Sequence, residues 1–384
     1  MGRLLGKSRL AGTRALGAAA LAFVVVAAPA CTRKDTPAEP APGTPSMPPI
    51  VPVAAAASPA PTVRYVGRFE PDAERGTRFA WSGSTIVARF SGTAISVRLR
   101  DEGEHALNTF QVVIDGEPTK VLKMQKGREQ YALAEGLSDG PHEVLLYKRT
   151  EAKVGEVVFL GFEPKGKMLP APPAPERRIE VIGDSITTGF GNEGPGPTCG
   201  FNPREQNGYL TYGALAAREL RADHVTVAWS GKTLYSMREY FPRALPDRET
   251  SAWDFSRYQP QLVVLNVGTN NFAIVDPGEA RFTQLYTELY ERVRGAYPKA
   301  FIVCALGPML SDIYPPGRKN LTQARKYMRA VVAKLKERDD KVELLEFPEQ
   351  RHSDGLGCGF HPSLKTHRLM ADRLVAFARE RLGW

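Results

Sequence analysis

A serine hydroxyl becomes a useful nucleophile only when a base lies within hydrogen-bond reach. Ser185 stands where such chemistry is practical. It directly follows the apolar run Arg178–Ile182, in the stretch Gly183-Asp184-Ser185-Ile186-Thr187-Thr188-Gly189. A serine placed there is presented at the end of a strand. The tripeptide is short, and Asp-Ser before Ile-Thr is also what a turn or a helix N-cap looks like. The matching base is a histidine, because neutral imidazole accepts a hydroxyl proton at ordinary pH. Of the six histidines, His361 sits in Gly359-Phe360-His361-Pro362-Ser363, just before the last amphipathic run. Acyl transfer to serine also needs fixed donors aimed at the oxygen that becomes negative, each worth about 3 kcal/mol. Two strand ends offer them: Ser230-Gly231 after His224–Trp229, and Gly268-Thr269-Asn270-Asn271 after Gln261–Val267. The Gly231 N–H and the Asn270 side-chain amide suit that task; singly, the glycine reads as a turn residue and the asparagine as a cap. Asp184 reads as structural, holding the turn. Trp229, Tyr235, Phe272 and Phe360 lie near these motifs, and read either as faces for a sugar ring or as ordinary packing.

These residues need a scaffold that brings successive strand ends together. Residues 178–384 supply one by alternating strands and helices. Strands are expected at Arg178–Ile182, His224–Trp229, Gln261–Val267, Phe301–Leu306 and Val342–Phe347, and helices at Gly208–Leu220, Glu279–Tyr297, Leu321–Arg338 and Leu364–Leu382. Such alternation argues for a parallel sheet with helices on both faces, and ligands bind such sheets beyond the carboxyl ends of the strands. Residues 63–165 have a different character. Short runs at Thr85–Phe90, Ala94–Arg100, Thr109–Ile114, His142–Lys148 and Glu156–Phe162 tend to alternate apolar and polar residues. Turn signals fall between them at Ser91-Gly92, Asp115-Gly116 and Asp139-Gly140, which predicts an all-β sandwich. Residues 166–177 are a Pro-rich linker, and residues 31–62 form a longer Pro/Ala-rich tether. Residues 1–30 have a basic start, an apolar stretch and small residues before Cys31, the pattern of a signal peptide. Export follows, either as a secreted protein or as a bacterial cell-envelope lipoprotein tethered to the membrane through lipid on Cys31.

The ordered set of GDS, a later glycine, an asparagine and a C-terminal histidine resembles the SGNH/GDSL hydrolase superfamily. The four name-giving positions fall on Ser185, Gly231, Asn270 and His361. The preceding β-region, with the wording GDSITTGFGNEG and NGYLTYGALAAREL, narrows the resemblance to carbohydrate esterase family 2. That resemblance implies an SGNH-type three-layer α/β/α hydrolase domain preceded by an all-β jelly-roll sandwich. It implies removal of acetyl groups from acetylated polysaccharides or oligosaccharides such as acetylated xylan. Ser185 would carry the acyl group, His361 would act as base, and no cofactor would be required. One position departs from the pattern. Most members carry an aspartate three residues before the histidine, where this chain has Cys358. Some family 2 esterases use a Ser–His dyad oriented by a backbone carbonyl, and this chain looks similar. Asp354, seven positions before His361, is kept as the alternative third member.

Composition narrows the remaining choices. The net charge of +9 includes Arg3, Lys7, Arg9 and Arg14 of the leader, and the other basic residues are mixed with acidic ones, so nucleic acid is not an expected partner. No His/Cys cluster has metal-ligand spacing, and no phosphate-cradling glycine loop is present. Cys304, in AFIVCALG, is expected to be buried; Cys199 and Cys358 lie in Gly-containing loops and are expected to pair in an oxidising compartment. Two other readings stay open at this point: an esterase for a lipid, aryl or peptidoglycan O-acetyl ester, and a non-catalytic carbohydrate-binding surface protein.

Overall fold

Runs of Val, Ile and Leu with no polar alternation need apolar cover on both faces, and a parallel sheet between helices provides it. In a computed structural model, which describes residues 60–384, these runs form such a sheet. The leader 1–30, Cys31 and nearly all of the tether 31–62 lie outside the described residues.

The first strands of the described chain belong to another sheet. β1 (Val63–Val66), β2 (Glu70–Asp72), β3 (Gly76–Phe79), β4 (Thr85–Asp101), β5 (Thr109–Ile114), β6 (Glu117–Lys123), β7 (Gln130–Ala134), β8 (Pro141–Lys148) and β9 (Val157–Leu169) pair antiparallel. Their order is β2-β3-β9-β4-β8-β5-β6, with β1 and β7 also on β4. The sheet folds over on itself. Phe79 of β3 meets Phe110 of β5 with ring centroids 6.1 Å apart, although β9, β4 and β8 separate their strands in the sheet. Their shared core includes Ile86, Phe90, Val97, Leu99, Val112 and Leu146.

Two expectations fail here. Ser91-Gly92 is not a turn, because β4 continues through it as one strand. Gly92 pairs with Gly166 of β9, and a Cβ on either would lie 2.0 Å from a carbonyl oxygen across the pair. Both glycines have positive φ, so the strand bends there without breaking. For the same reason β9 runs on to Leu169, into the stretch expected as linker.

The second sheet follows: β10 (Arg177–Gly183), α1 (Ser185–Thr188), α2 (Tyr212–Glu219), β11 (Ala222–Ala228), α3 (Leu234–Tyr240), β12 (Leu262–Asn266), α4 (Glu279–Ala296), β13 (Phe301–Leu306), α5 (Asn320–Lys336), β14 (Val342–Glu346) and α6 (Leu364–Leu382). Its strands are all parallel in the order β11-β10-β12-β13-β14. Alternate residues face opposite layers. Val263 and Leu265 of β12 join the core under α3, α4 and α5, while Leu262 and Val264 join the core under α2 and α6. The helix expected from Gly208 starts at Tyr212, because Thr211 is extended (φ −76°, ψ 159°) and separates it from a 3₁₀ turn at Gly208–Leu210. Cys304 is fully buried with a free thiol. Among the described residues no helix is long and apolar enough to cross a membrane.

The two sheets share a core. Val66, Trp81, Val87 and Ala152 of the β-region pack in the same cluster as α3, α4 and α5. Arg68, fully buried, reaches from the β-region to Glu180 of β10 (3.2 Å), and Glu180 also accepts from Tyr297 Oη (2.8 Å). The same guanidinium donates to the carbonyls of Phe241 and Arg243 and lies 5.1 Å from the Phe241 ring centroid.

Candidate active site

The chain passes from β10 to β11 on one side and then to β12 on the other. The ends of β10, β11 and β12 therefore meet where the strand order reverses, the place where open α/β sheets hold ligands. Ser185, Gly231 and Asn270 follow these three strands directly.

Ser185 opens α1, a single helical turn. The turn can fold tightly over β10 because position 183 is glycine: a Cβ there would lie 2.0 Å from Thr187 Oγ1. Asp184 caps the turn, its Oδ1 accepting from Ile186 N–H at 3.1 Å and its carbonyl from the N–H groups of Thr187 and Thr188. Burial pushes the Asp184 carboxyl up to about 7 against that cap bond. The structural reading of Asp184 therefore stands on observed bonds. At the first helical position the Ser185 N–H has no intrahelical partner and remains available as a donor.

His361 comes from the loop before α6. Its Nε2 accepts from Ser185 Oγ at 2.7 Å. Its Nδ1 faces the carbonyls of Cys358 (3.0 Å) and Gly359 (3.1 Å). Carbonyl oxygens only accept, so the proton is assigned to Nδ1 and Nε2 is left free as a base. The ring is crowded by Phe190, 4.3 Å between centroids, and burial holds the imidazole neutral down to about 4. The loop is tied to the segment after α1 by the Cys199–Cys358 disulfide, by Cys358 N–H to Gly191 O (3.0 Å) and by Gly359 N–H to Cys199 O (2.9 Å).

Asp354 does not join this pair. Its carboxylate meets Lys365 Nζ at 2.7 Å, and its carbonyl accepts from Ser363 Oγ. The side of the imidazole that a third residue would orient is occupied by backbone carbonyls. Ser185 and His361 are thus paired without a carboxylate on the imidazole, and Asp354 is turned to Lys365 instead.

The turn after β11 is closed by Lys232 N–H to Trp229 O (3.3 Å). It places Gly231 third with φ +78°, the value that position takes in a type II turn. The Gly231 N–H donates to no protein acceptor among the described residues. Asn270 lies in the 3₁₀ turn after β12, and its Nδ2 donates to Lys232 O at 3.0 Å. An amide nitrogen carries two hydrogens, so one anchors the side chain and one stays free.

Of the four aromatics, Phe272 is core: it is 1% exposed and packs on Phe282 and Tyr327. Tyr235 (52%) and Phe360 (54%) are exposed. Trp229 is half-buried beneath Lys232, whose Nζ lies 4.3 Å from the indole centroid. Sequence reasoning missed the group that holds the Gly231 turn, Glu151 of the β-region. Its carboxylate accepts from both Ser230 N–H and Ser230 Oγ, each at 2.7 Å. No local pattern in Lys148-Arg149-Thr150-Glu151 signals a partner that lies 79 positions away.

Comparison with known proteins extends over both sheets. Residues 65–173 match the family described as carbohydrate esterase 2 N-terminal, and residues 181–369 match the GDSL-like lipase/acylhydrolase family. A cellulase/esterase, CelE, of Acetivibrio thermocellus is 41% identical over 335 residues; the match covers 84% of this chain and 40% of that protein. An acetylxylan esterase / glucomannan deacetylase of Cellvibrio japonicus is 25% identical, over 84% of this chain and 90% of the relative. A solved family two carbohydrate esterase from Clostridium thermocellum, in complex with cellohexaose, superposes with a TM-score of 0.79 at 40% identity, covering 84% of this chain and 99% of that one.

Proposed function

Because this chain belongs to carbohydrate esterase family 2, we propose that it is a serine esterase that removes acetyl groups from carbohydrate, acetylated xylan or related acetylated sugars. The observation that carries this reading is the 2.7 Å bond from Ser185 Oγ to an imidazole whose other nitrogen is fixed by carbonyls. Ser185 Oγ attacks the ester carbonyl carbon while His361 Nε2 takes its proton. The oxygen that turns negative is held by the N–H groups of Ser185 and Gly231 and by the free Asn270 amide hydrogen. His361 returns the proton to the sugar oxygen as the acyl–oxygen bond breaks. Water, deprotonated by the same imidazole, then attacks the acetyl-Ser185 carbonyl, and the acyl–Oγ bond breaks as His361 returns that proton to Ser185 Oγ, releasing acetate. The acetyl-sugar substrate is supported by the relative named as an acetylxylan esterase and glucomannan deacetylase. Export is supported by the Cys199–Cys358 disulfide, a bond favoured in oxidising compartments. The test is acetate release from acetylated xylan and acetylated glucomannan beside 4-nitrophenyl acetate. Release from a polysaccharide is expected. Cleavage of the aryl ester alone would retain the serine mechanism and reject the carbohydrate substrate.

The same geometry sets a pH profile. The working base is neutral imidazole, so activity is present above its pKa and is lost as pH falls through it. With His361 pushed down to about 4 by burial, kcat/KM is expected to stay level from neutral pH to about 5 and then fall with a midpoint near 4. Asp354→Ala is expected to show the same profile at nearly the same height. A midpoint near 6.5 would contradict the buried neutral base, and a loss of about 10⁴-fold in Asp354→Ala would restore a triad.

A further inference from the structure

Every residue of the segment Lys148–Ala152 at the edge of the β-region is buried. Lys148 Nζ donates to the carbonyls of Thr150 (2.9 Å) and Glu151 (3.2 Å). Thr150 Oγ1 donates to Asn108 Oδ1 at 2.7 Å. These bonds hold Glu151 rigidly against the other sheet. The Glu151 N–H donates to Gln206 Oε1 (3.1 Å), and Gln206 Nε2 donates to Thr188 O (3.4 Å). Its carboxylate takes both donors of Ser230, whose hydroxyl also lies 3.3 Å from Thr188 Oγ1. Thr188 Oγ1 in turn donates to Ser185 O at 3.1 Å. One acidic residue from the β-region thus contacts the turn after β11 directly and the turn after β10 through Gln206.

The turn after β11 is one that could reorient. With glycine third, φ near −90° and φ near +80° are both open, and they differ by a flip of the central peptide. That peptide joins Ser230 to Gly231 and contains the Gly231 N–H. Fixing both donors of Ser230 fixes the residue on the near side of the peptide. We propose that Glu151 is a positioning residue for the esterase reaction: by clamping Ser230 it holds the Gly231 N–H toward the developing oxyanion. This rests on the esterase reading above. The β-region then completes the reaction centre as well as covering the core. An oxyanion donor acts in the transition state and little in the ground state, so its misplacement lowers kcat and spares KM.

The experiment compares the full-length protein with Glu151→Ala, Glu151→Gln and Ser230→Ala by steady-state kinetics on 4-nitrophenyl acetate, by thermal melting and by amide hydrogen exchange over residues 228–234. Glu151→Ala is expected to lower kcat by about 10²-fold with KM within about threefold, the size of a lost oxyanion donor. Exchange in the turn is expected to rise at least about tenfold. Glutamine can accept from the Ser230 N–H and donate to its hydroxyl, so Glu151→Gln is expected to recover most of kcat. If Glu151→Ala does not fold, Ser230→Ala carries the comparison, with kcat reduced about tenfold. The proposal is overturned if folded Glu151→Ala keeps kcat within about twofold, or if exchange in the turn is unchanged. It is also overturned if only the melting temperature falls, which a purely structural staple would give. A wild-type protein inactive on every acetyl ester would refute the esterase reading separately, while exchange would still decide whether Glu151 fixes the turn.

Discussion

Ser185→Ala is expected to lower kcat on 4-nitrophenyl acetate by about 10⁵–10⁶-fold while the melting temperature stays within about 2 °C. The size follows from serine and histidine acting as a unit, since removal of either stops covalent catalysis altogether. His361→Ala is expected to lose as much, and the double variant no more. What remains is the help that the oxyanion donors give to water, about 10³–10⁴-fold over the uncatalysed rate. Stability is spared because the hydroxyl's partner is the imidazole alone. The cap of α1 comes from Asp184, and alanine suits the first helical position. The check is steady-state hydrolysis beside a melting curve. Retention of a tenth of the wild-type rate by Ser185→Ala would assign the nucleophile elsewhere.

Removing the disulfide is the second large effect. Cys199 and Cys358 are 159 positions apart, so the link constrains much of the unfolded chain. Loss of a native disulfide costs about 2–5 kcal/mol, and for a unit of this size a melting temperature lower by roughly 3–7 °C is expected for Cys199→Ser. Activity should fall too, by about tenfold or more. The carbonyls of Cys358 and Gly359 orient the His361 ring, and a reactive group displaced by about 1 Å costs up to about 10²-fold. Cys199→Ser is the informative variant, because it leaves the residue beside the imidazole in place. Dithiothreitol is expected to bring the wild-type protein to the level of the variant in both measurements. Unchanged melting and unchanged kcat in Cys199→Ser would show that backbone bonds alone hold the loop.

The parts of this protein visible in the sequence are those in which neighbouring residues repeat a simple rule. β13 is an unbroken apolar run, and β12 is one up to Asn266, because both faces are covered, and α4, α5 and α6 show a helical period along one buried stripe. Ser185, Gly231, Asn270 and His361 could be picked out because each sits at an element's end and they follow one another in a known order. What escaped depends on distant partners. β6 is an edge strand with a single buried residue, Leu122, so it shows no alternation. β2 has three residues and α3 has seven, both too short for a period to appear. The bend at Gly92 looked like a turn because its cause, the close approach of Gly166, is 74 positions away. Glu151 escaped for the same reason: its environment is assembled from Ser230 and Gln206 of the other sheet.

Arg68 and Glu180 have a consequence for how such a chain can be rearranged in evolution. Both are fully buried, Arg68 from the connection between β1 and β2 and Glu180 from β10. Burial already raises the Glu180 carboxyl's pKa with the guanidinium in place. Fragments cut in the Pro-rich stretch before β10 would each lose the partner of a buried ion pair and expose the apolar core that the two sheets share, with Val66, Trp81 and Val87 on one side and α3, α4 and α5 on the other. Neither half is therefore a free cassette. Duplication, fusion to other catalytic units and transfer between genes would move the two sheets as one inherited block. Heating is expected to melt both sheets in a single transition, because separating them exposes the apolar core they share.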